Sequence, residues 1–135
     1  MPEEDISRLL DAAEAVEFEP LETIFEEGGE ASTLYLILTG VVALRVQRGH
    51  RTPRKIQSVQ EGSVLGWSWL FPPYRWEFEA MAETPVRAIA IDAGTLRAEF
   101  DDDPAFGYRF VARIAEVMAK RLHATRKQVI SLMGS

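Results

Sequence analysis

The chain has 135 residues, no cysteine and a formal net charge of −6, with 47% hydrophobic and 27% charged residues. This length and balance are typical of one soluble globular domain. The acidic charge argues against a general nucleic-acid or anionic-membrane surface, and the lack of cysteine excludes disulfides and thiolate chemistry. We find no signal peptide and no apolar run near the ~20 residues of a membrane span, and therefore expect a cytoplasmic protein.

The first two thirds of the chain predict a short helix followed by strands. Residues 4–13 place apolar side chains at helical spacing and acidic ones in the first turn, which suits the helix dipole. Thr39 and Gly40 separate two apolar runs, so we expect these runs to form a hairpin. Seven or eight short strands at roughly ten-residue intervals indicate a sandwich or barrel. The predicted strands are 16–19, 23–25, 34–38, 41–46, 55–59, 76–83 and 86–91.

An unusual stretch, 62–82, follows the predicted strand at 55–59 and runs into the one at 76–83. It holds all three tryptophans, the adjacent prolines Pro72 and Pro73, and Arg75 between two aromatic residues. Its glycines predict a tight turn, the next residues a short apolar turn of helix, and the prolines a break. From Trp76 onward, alternating residues share one face of a strand.

The last third of the chain predicts two helices. Asp92 has the character of an N-cap for a short helix at 93–100, and the acidic run 101–103 precedes Pro104 at the first position of a long helix. That helix extends to about Met133.

The long helix carries two apolar stripes. One predicts packing on the barrel and consists of Phe106, Phe110, Ile114 and Val117. The other follows a heptad pattern typical of a coiled coil and predicts a homodimer, with a single wide core face as the alternative. The candidate dimer residues are Val111, Ala115, Met118, Leu122, Thr125, Val129 and Leu132.

Three motifs identify a family resemblance. Residues 25–40 read F-x-x-G-x-x-A-x-x-L-Y-L-I-L-x-G, residues 62–66 read G-S-V-L-G, and residues 121–126 read R-L-H-A-T-R. With the order of the elements, they resemble the cyclic nucleotide-binding domain family, including the sensor domains of CRP/FNR-type regulators. The resemblance covers nearly the whole chain and implies a mainly β fold with flanking helices, a jelly-roll barrel or double-stranded β-helix.

The resemblance also implies a domain organisation. Residues 1–135 would form a single domain, with an N-terminal helical segment at 1–15, a β-roll at 16–92 and C-terminal helices at 93–135. The last helix would correspond to the dimer helix of the family.

The family's phosphate-binding cassette maps onto the unusual stretch. Gly66 matches the cassette glycine, Leu70 and Phe71 match its apolar anchors, and Arg75 matches the arginine that pairs with phosphate. Trp67 stands where family members carry a ribose-binding glutamate, and an indole cannot accept a hydroxyl hydrogen bond. We therefore expect weak or absent cAMP and cGMP binding and no cofactor. The candidate ligand-binding residues are Gly66, Trp67, Ser68, Trp69, Leu70, Arg75 and Trp76.

Two alternatives remain for these residues. Arg75 either stacks between Tyr74 and Trp76 as a surface cation or captures an anion. The tryptophans either fill the core or line a pocket remade for an apolar or aromatic ligand.

No residue pattern indicates catalysis or a metal site. His50 and His123 have no second nitrogen ligand at useful spacing, and no nucleophile motif is present. We expect a non-enzymatic sensor or regulatory module that responds to a small-molecule effector, without a nucleic-acid or membrane contact of its own. The alternative is a ligand-free scaffold for protein interactions.

Overall fold

A computed structural model of the chain describes residues 3–133, with side chains described as far as Lys120. The described chain contains seven strands between one N-terminal and two C-terminal helices. In chain order these are α1 (Glu3–Asp11), β1 (Ala13–Phe18), β2 (Thr23–Phe25), β3 (Thr33–Thr39), β4 (Val42–Val46), β5 (Arg54–Val59), β6 (Glu79–Ala82), β7 (Val86–Asp92), α2 (Ala93–Asp102) and α3 (Pro104–Met133).

The strands form two antiparallel sheets that enclose the core. One sheet has the order β1-β7-β3 and the other the order β2-β6-β4-β5. Alternating residues of the strands point inward, as in β6, where Ala80 and Ala82 are buried. The mainly β roll with flanking helices agrees with the fold expected from the sequence.

The hairpin predicted at Thr39 and Gly40 is wrong. The strand β3 pairs with β7, whereas β4 pairs with β5 and β6, so the chain crosses between sheets at Gly40. Gly40 has φ of 100°, and a Cβ there would lie 2.4 Å from the carbonyl oxygen of Pro85. The glycine is therefore required by a close crossing of two chain segments rather than by a hairpin turn.

The strand predicted at 76–83 is shorter than expected. Only Glu79–Ala82 joins a sheet. The residues before it bond to a glycine turn instead, because Trp76 donates its N–H to Gly29 (2.9 Å) and accepts from the N–H of Gly28 (2.7 Å). An isolated bridge between Glu30 and Arg75 completes this connection.

The C-terminal helices begin at the predicted caps. Asp92 accepts from the backbone N–H of Thr95 at 2.8 Å, and this bond lowers the pKa of the Asp92 carboxyl. Asp103 caps α3 by accepting from the N–H of Phe106 at 3.2 Å. The predicted barrel-facing stripe of α3 is confirmed, since Phe106, Phe110 and Ile114 are buried and Val117 is half-buried.

Candidate ligand-binding site

Gly66 makes a sharp bend at the start of the site. Its φ is +77°, and a Cβ would lie 2.9 Å from Cζ of Phe78, so both the backbone conformation and the space require glycine. The preceding residues are fixed to β3, because Leu65 donates its N–H to Tyr35 and Val64 forms a bridge with Leu36. The bend thus follows directly on a segment that is bonded to β3.

Residues 66–76, here called the cassette segment, follow this bend. Residues 67–70 form one hydrogen-bonded turn, in which Leu70 donates its N–H to Trp67 at 2.9 Å. Trp69 is fully buried, its Nε1 donates to the carbonyl of Gly66 at 2.9 Å, and its ring meets Phe110 edge-on. Leu70 is half-buried against the core.

The end of the cassette segment also packs inward. Trp76 is buried and stacks on Phe25 with ring centroids 3.8 Å apart and an interplanar angle of 7°. Two of the three tryptophans therefore fill the core, as one of the sequence interpretations proposed. The third, Trp67, is only half-buried.

Arg97 connects the cassette segment to α2. Its guanidinium lies 4.1 Å from the centroid of the Tyr74 ring, and its Nη1 donates to the carbonyl oxygen of Trp69. Among the described side chains, the cation–π contacts are those of Arg8 with Phe106 and of Arg97 with Tyr74. They do not include the stacking of Arg75 between Tyr74 and Trp76 that one interpretation proposed. No local sequence pattern indicated Arg97, which reaches this site from α2.

A cavity of about 870 Å³ opens in front of the cassette segment. Sheet residues form its floor, the cassette segment forms one wall, and α3 forms another. This volume lies within the range of about 300–1,000 Å³ that is usual for small-molecule sites. The lining residues are Leu44, Ile56, Gln57, Val59, Val64, Gly66, Trp67, Ser68, Phe71, Pro72, Pro73, Arg75, Glu77, Phe78, Ala115, Met118 and Ala119.

The described residues that line the cavity are mostly apolar, with one cation and one anion. Arg75 and Glu77 are both exposed, and neither has a hydrogen bond or an ion pair with another residue whose side chain is described. Gln57 and Ser68 supply the neutral polar groups. The structure thus brings Gly66, Trp67, Ser68 and Arg75 to the cavity, whereas Trp69, Leu70 and Trp76 are not among its lining residues.

The candidate dimer residues have several environments. Val111 packs against the core, while Ala115 and Met118 line the cavity. The side chains of Leu122, Thr125, Val129 and Leu132 lie outside the described residues, as does that of His123. Two of the seven candidates therefore belong to the same wall that a ligand in the cavity would touch.

Ion pairs attach α1 to α3. Asp5 is buried and receives two bonds from Arg109, from Nε at 2.6 Å and from Nη2 at 2.9 Å. These bonds from Arg109 hold the pKa of the Asp5 carboxyl below its ordinary value. Arg8 adds a 3.0 Å ion pair with Asp103 and lies over the ring of Phe106.

The part of the chain that the structure describes offers neither a metal-binding cluster nor a membrane-spanning helix. No group of three or more His, Cys, Asp or Glu side chains there is arranged to hold a metal ion. None of the helices there combines the length and apolar content that a membrane crossing requires.

Comparison with known proteins agrees with this architecture. The sequence model of the cyclic nucleotide-binding domain matches residues 15–103. The chain therefore belongs to the cyclic nucleotide-binding domain family. The matched region contains the whole cassette segment and ends just before α3.

Individual relatives place the chain among regulatory proteins. It is 26% identical over 132 residues to a CRP-like cAMP-activated global transcriptional regulator of Mycobacterium tuberculosis, covering 95% of this chain and 55% of that protein. It is 27% identical over 131 residues to mouse cGMP-dependent protein kinase 2, covering 93% of this chain and 17% of the kinase. The chain thus spans about half or less of these relatives.

A solved structure supports the same fold. A candidate cyclic nucleotide-binding protein of Geobacter metallireducens GS-15 superposes with a TM-score of 0.81 and 28% identity. The alignment covers 91% of this chain and 89% of the other.

Proposed function

We propose that this chain is a non-enzymatic sensor module that binds a small molecule in the cavity beside the cassette segment. The observation that carries the proposal is the 870 Å³ cavity itself, whose walls come from the cassette segment and α3. A ligand there would touch Trp67 of the cassette segment and Met118 of α3 together. Membership of a regulatory domain family supports a signalling role.

Ligand binding would change the position of α3 through these contacts. A ligand that fits one arrangement of the cassette segment and α3 better than another shifts the population toward it. Arg97 provides a second connection, because it holds the cassette segment to α2 and α2 leads directly into α3. The proposed sensor thus couples the cavity to α3 through the ligand itself and through the contact of Arg97 with the cassette segment.

The output of the sensor is proposed to be a change at a homodimer interface on α3. The heptad pattern from Val111 onward continues beyond the cavity wall. Leu122→Glu would place a charge in the middle of this seam. We expect the variant to sediment as a monomer with an unchanged circular dichroism spectrum, and Arg51→Glu in the β4–β5 loop serves as the matched surface control. A Leu122→Glu variant that still sediments as a dimer would contradict this interface.

The ligand is not expected to be cAMP or cGMP. Trp67 follows the cassette glycine and offers a ring N–H donor but no acceptor for a sugar hydroxyl. Isothermal titration calorimetry with each nucleotide should give no saturable heat at micromolar concentrations. Trp67→Glu supplies a carboxylate acceptor, and we expect it to raise the affinity for cAMP by about tenfold. Micromolar binding by the wild-type protein would contradict the expectation.

The rival function is a ligand-free scaffold, in which the tryptophans would fill the ligand space. The open cavity supports the sensor instead, because Trp69 and Trp76 fill the core and leave that space free. A native mass spectrum of the purified protein tests both proposals together, since it reports the oligomeric state and any bound small molecule. A bare monomer would count against the sensor and its dimer.

A further inference from the structure

The lining of the cavity also indicates what chemical class of ligand it takes. Three aromatic side chains, Trp67, Phe71 and Phe78, line it together with two adjacent prolines. Phe78 is fixed in place next to the Gly66 bend, where its ring leaves no room for a Cβ. Flat apolar surfaces of this kind favour an aromatic or extended apolar body through stacking and burial.

Arg75 supplies the polar group that would orient such a ligand. Its backbone is fixed by the bridge to Glu30, and the next residue, Trp76, bonds to the turn at Gly28 and Gly29. No side chain in the described part of the chain forms an ion pair with its guanidinium. The fork of a guanidinium pairs with a carboxylate through two parallel hydrogen bonds, and these bonds are stronger than those between neutral groups.

Glu77 limits the charge that the cavity can accept. It lines the same cavity as Arg75, so the part of the lining formed by the described side chains carries one positive and one negative group and no net charge. A polyanion would be attracted by the Arg75 guanidinium, but its additional negative charges would be repelled by the Glu77 carboxylate, which would weaken its binding. A single acid group on an apolar body would use the one cation of this lining and its apolar walls together.

We propose that the cavity binds an apolar or aromatic monocarboxylate, with its acid group on Arg75 and its apolar body against Trp67, Phe71 and Phe78. This inference rests on the proposed sensor function, which it makes more specific. The ligand would have no ribose, because the Trp67 side chain after the cassette glycine offers no acceptor for a sugar hydroxyl. Met118 and Ala119 of α3 would cover the apolar body from the opposite wall.

The test compares three probes of the same apolar shape with cAMP. The probes are 1-naphthoate, 1-naphthalenemethanol and 1-naphthylmethylamine, titrated into the full chain while tryptophan fluorescence and heat are recorded. We expect saturable binding of 1-naphthoate that is about tenfold tighter than that of the alcohol, because only the acid forms charge-assisted bonds. The amine should bind no better than the alcohol.

Two arginine variants test which side chain binds the carboxylate of 1-naphthoate. Arg75→Gln should remove the tenfold preference for 1-naphthoate over the alcohol and leave binding of the alcohol itself within about twofold. Arg87→Gln is the matched control, because Arg87 is an exposed arginine on β7 that does not line the cavity. It should keep the preference. Urea unfolding of both variants checks that each remains folded.

The possible outcomes separate the ligand class from the sensor function. Equal binding of acid and alcohol, tighter binding of the amine, or a preference that survives Arg75→Gln would overturn the monocarboxylate. If cAMP binds and 1-naphthoate does not, the ligand class is wrong while the sensor stands. If neither cAMP nor any naphthyl probe binds and the native mass spectrum shows a bare chain, both proposals fail.

Discussion

The cassette segment has two faces that differ in burial, packing and proposed role. On the core-facing side, Trp69 is fully buried and Trp76 stacks on Phe25. On the cavity-facing side, Trp67 is half-buried and Arg75 is exposed. Two tryptophans separated by one residue thus belong to different environments. The core-facing side therefore contributes to the packing of the fold, whereas the cavity-facing side carries the residues that are proposed to contact a ligand.

This division explains how the chain keeps a cassette without the residue that would hold a sugar. The bend at Gly66 and the burial of Trp69 depend on contacts with Phe78 and with Phe110 of α3. Neither contact involves the side chain at position 67. A change from an acidic to an aromatic residue there alters the cavity lining and leaves the bend in place.

The largest expected effect separates the two faces directly. Trp69→Ala removes a fully buried indole and should lower the free energy of unfolding by about 3–5 kcal/mol. Trp67→Ala, the matched variant on the cavity-facing side, should cost only about 1 kcal/mol because its ring is half exposed to the cavity. Urea unfolding followed by circular dichroism measures both. Equal losses would show that the two faces are energetically alike.

The bend itself gives the second prediction. Gly66→Ala combines strain at φ of +77° with a Cβ placed 2.9 Å from Phe78, and we expect it to cost about 2–3 kcal/mol. Gly62→Ala is the control, because Gly62 has a similar φ of +81° but no atom within 4 Å of the added Cβ. It should cost about 1 kcal/mol. The difference between the two measures the close approach, and its absence would contradict the role given to Phe78.

The local features of this fold were predictable from the sequence, whereas the long-range ones were not. A helix cap such as Asp92 depends on residues within one helical turn, and the alternation of buried and exposed side chains along a strand depends on residues next to each other in the sequence. The crossing at Gly40 depends on which strands pair, and that choice is made by residues far apart along the chain. The Asp5–Arg109 pair joins positions separated by 104 residues. No local pattern contains this information.

The residues of the candidate site also divide into those that the sequence predicted and those that it did not. The family motif was sufficient to locate Gly66, Trp67 and Arg75, all of which line the cavity. The motif could not tell that Trp69 points inward, because adjacent aromatic residues in a short turn have no clear periodicity. It also missed Arg97, since a guanidinium over the Tyr74 ring requires α2 to pack beside the cassette segment.

Arg97 gives the third prediction, which tests whether the cassette segment is held from the helix side. Arg97→Met removes the contact with Tyr74 and the bond to the Trp69 carbonyl while keeping an apolar stem. We expect it to lower the free energy of unfolding by about 1–2 kcal/mol. Arg87→Met, which removes only an exposed 3.6 Å ion pair with Glu17, should change it by less than about 0.5 kcal/mol. Urea unfolding again measures both, and equal effects would contradict the connection through Arg97.

The smallest expected effect concerns the far side of α3. Arg109, which binds Asp5, lies about two and a half turns from Met118, so the two side chains lie on opposite sides of the helix. The ion pair would therefore hold α3 on the side opposite the cavity, whereas a ligand would contact α3 on the cavity side. Asp5→Asn weakens this attachment and leaves both faces of the cassette segment unchanged. We expect a lower urea midpoint at neutral pH and unchanged binding of 1-naphthoate.

The pH dependence identifies the charge of Asp5 as the cause. The bonds from Arg109 lower the pKa of Asp5 in the folded state below its ordinary value of about 3.9. The folded state therefore resists protonation, and the stability contributed by the charge is complete above the ordinary value and is lost as pH falls through the lowered one. The gap in urea midpoint between wild type and Asp5→Asn should be constant from pH 7 to pH 5 and should narrow below about pH 4. Asp11→Asn, at the exposed end of the same helix, should show no such gap at any pH. A gap that persists unchanged at the lowest pH would mean that packing of the carboxyl, rather than its charge, joins α1 to α3.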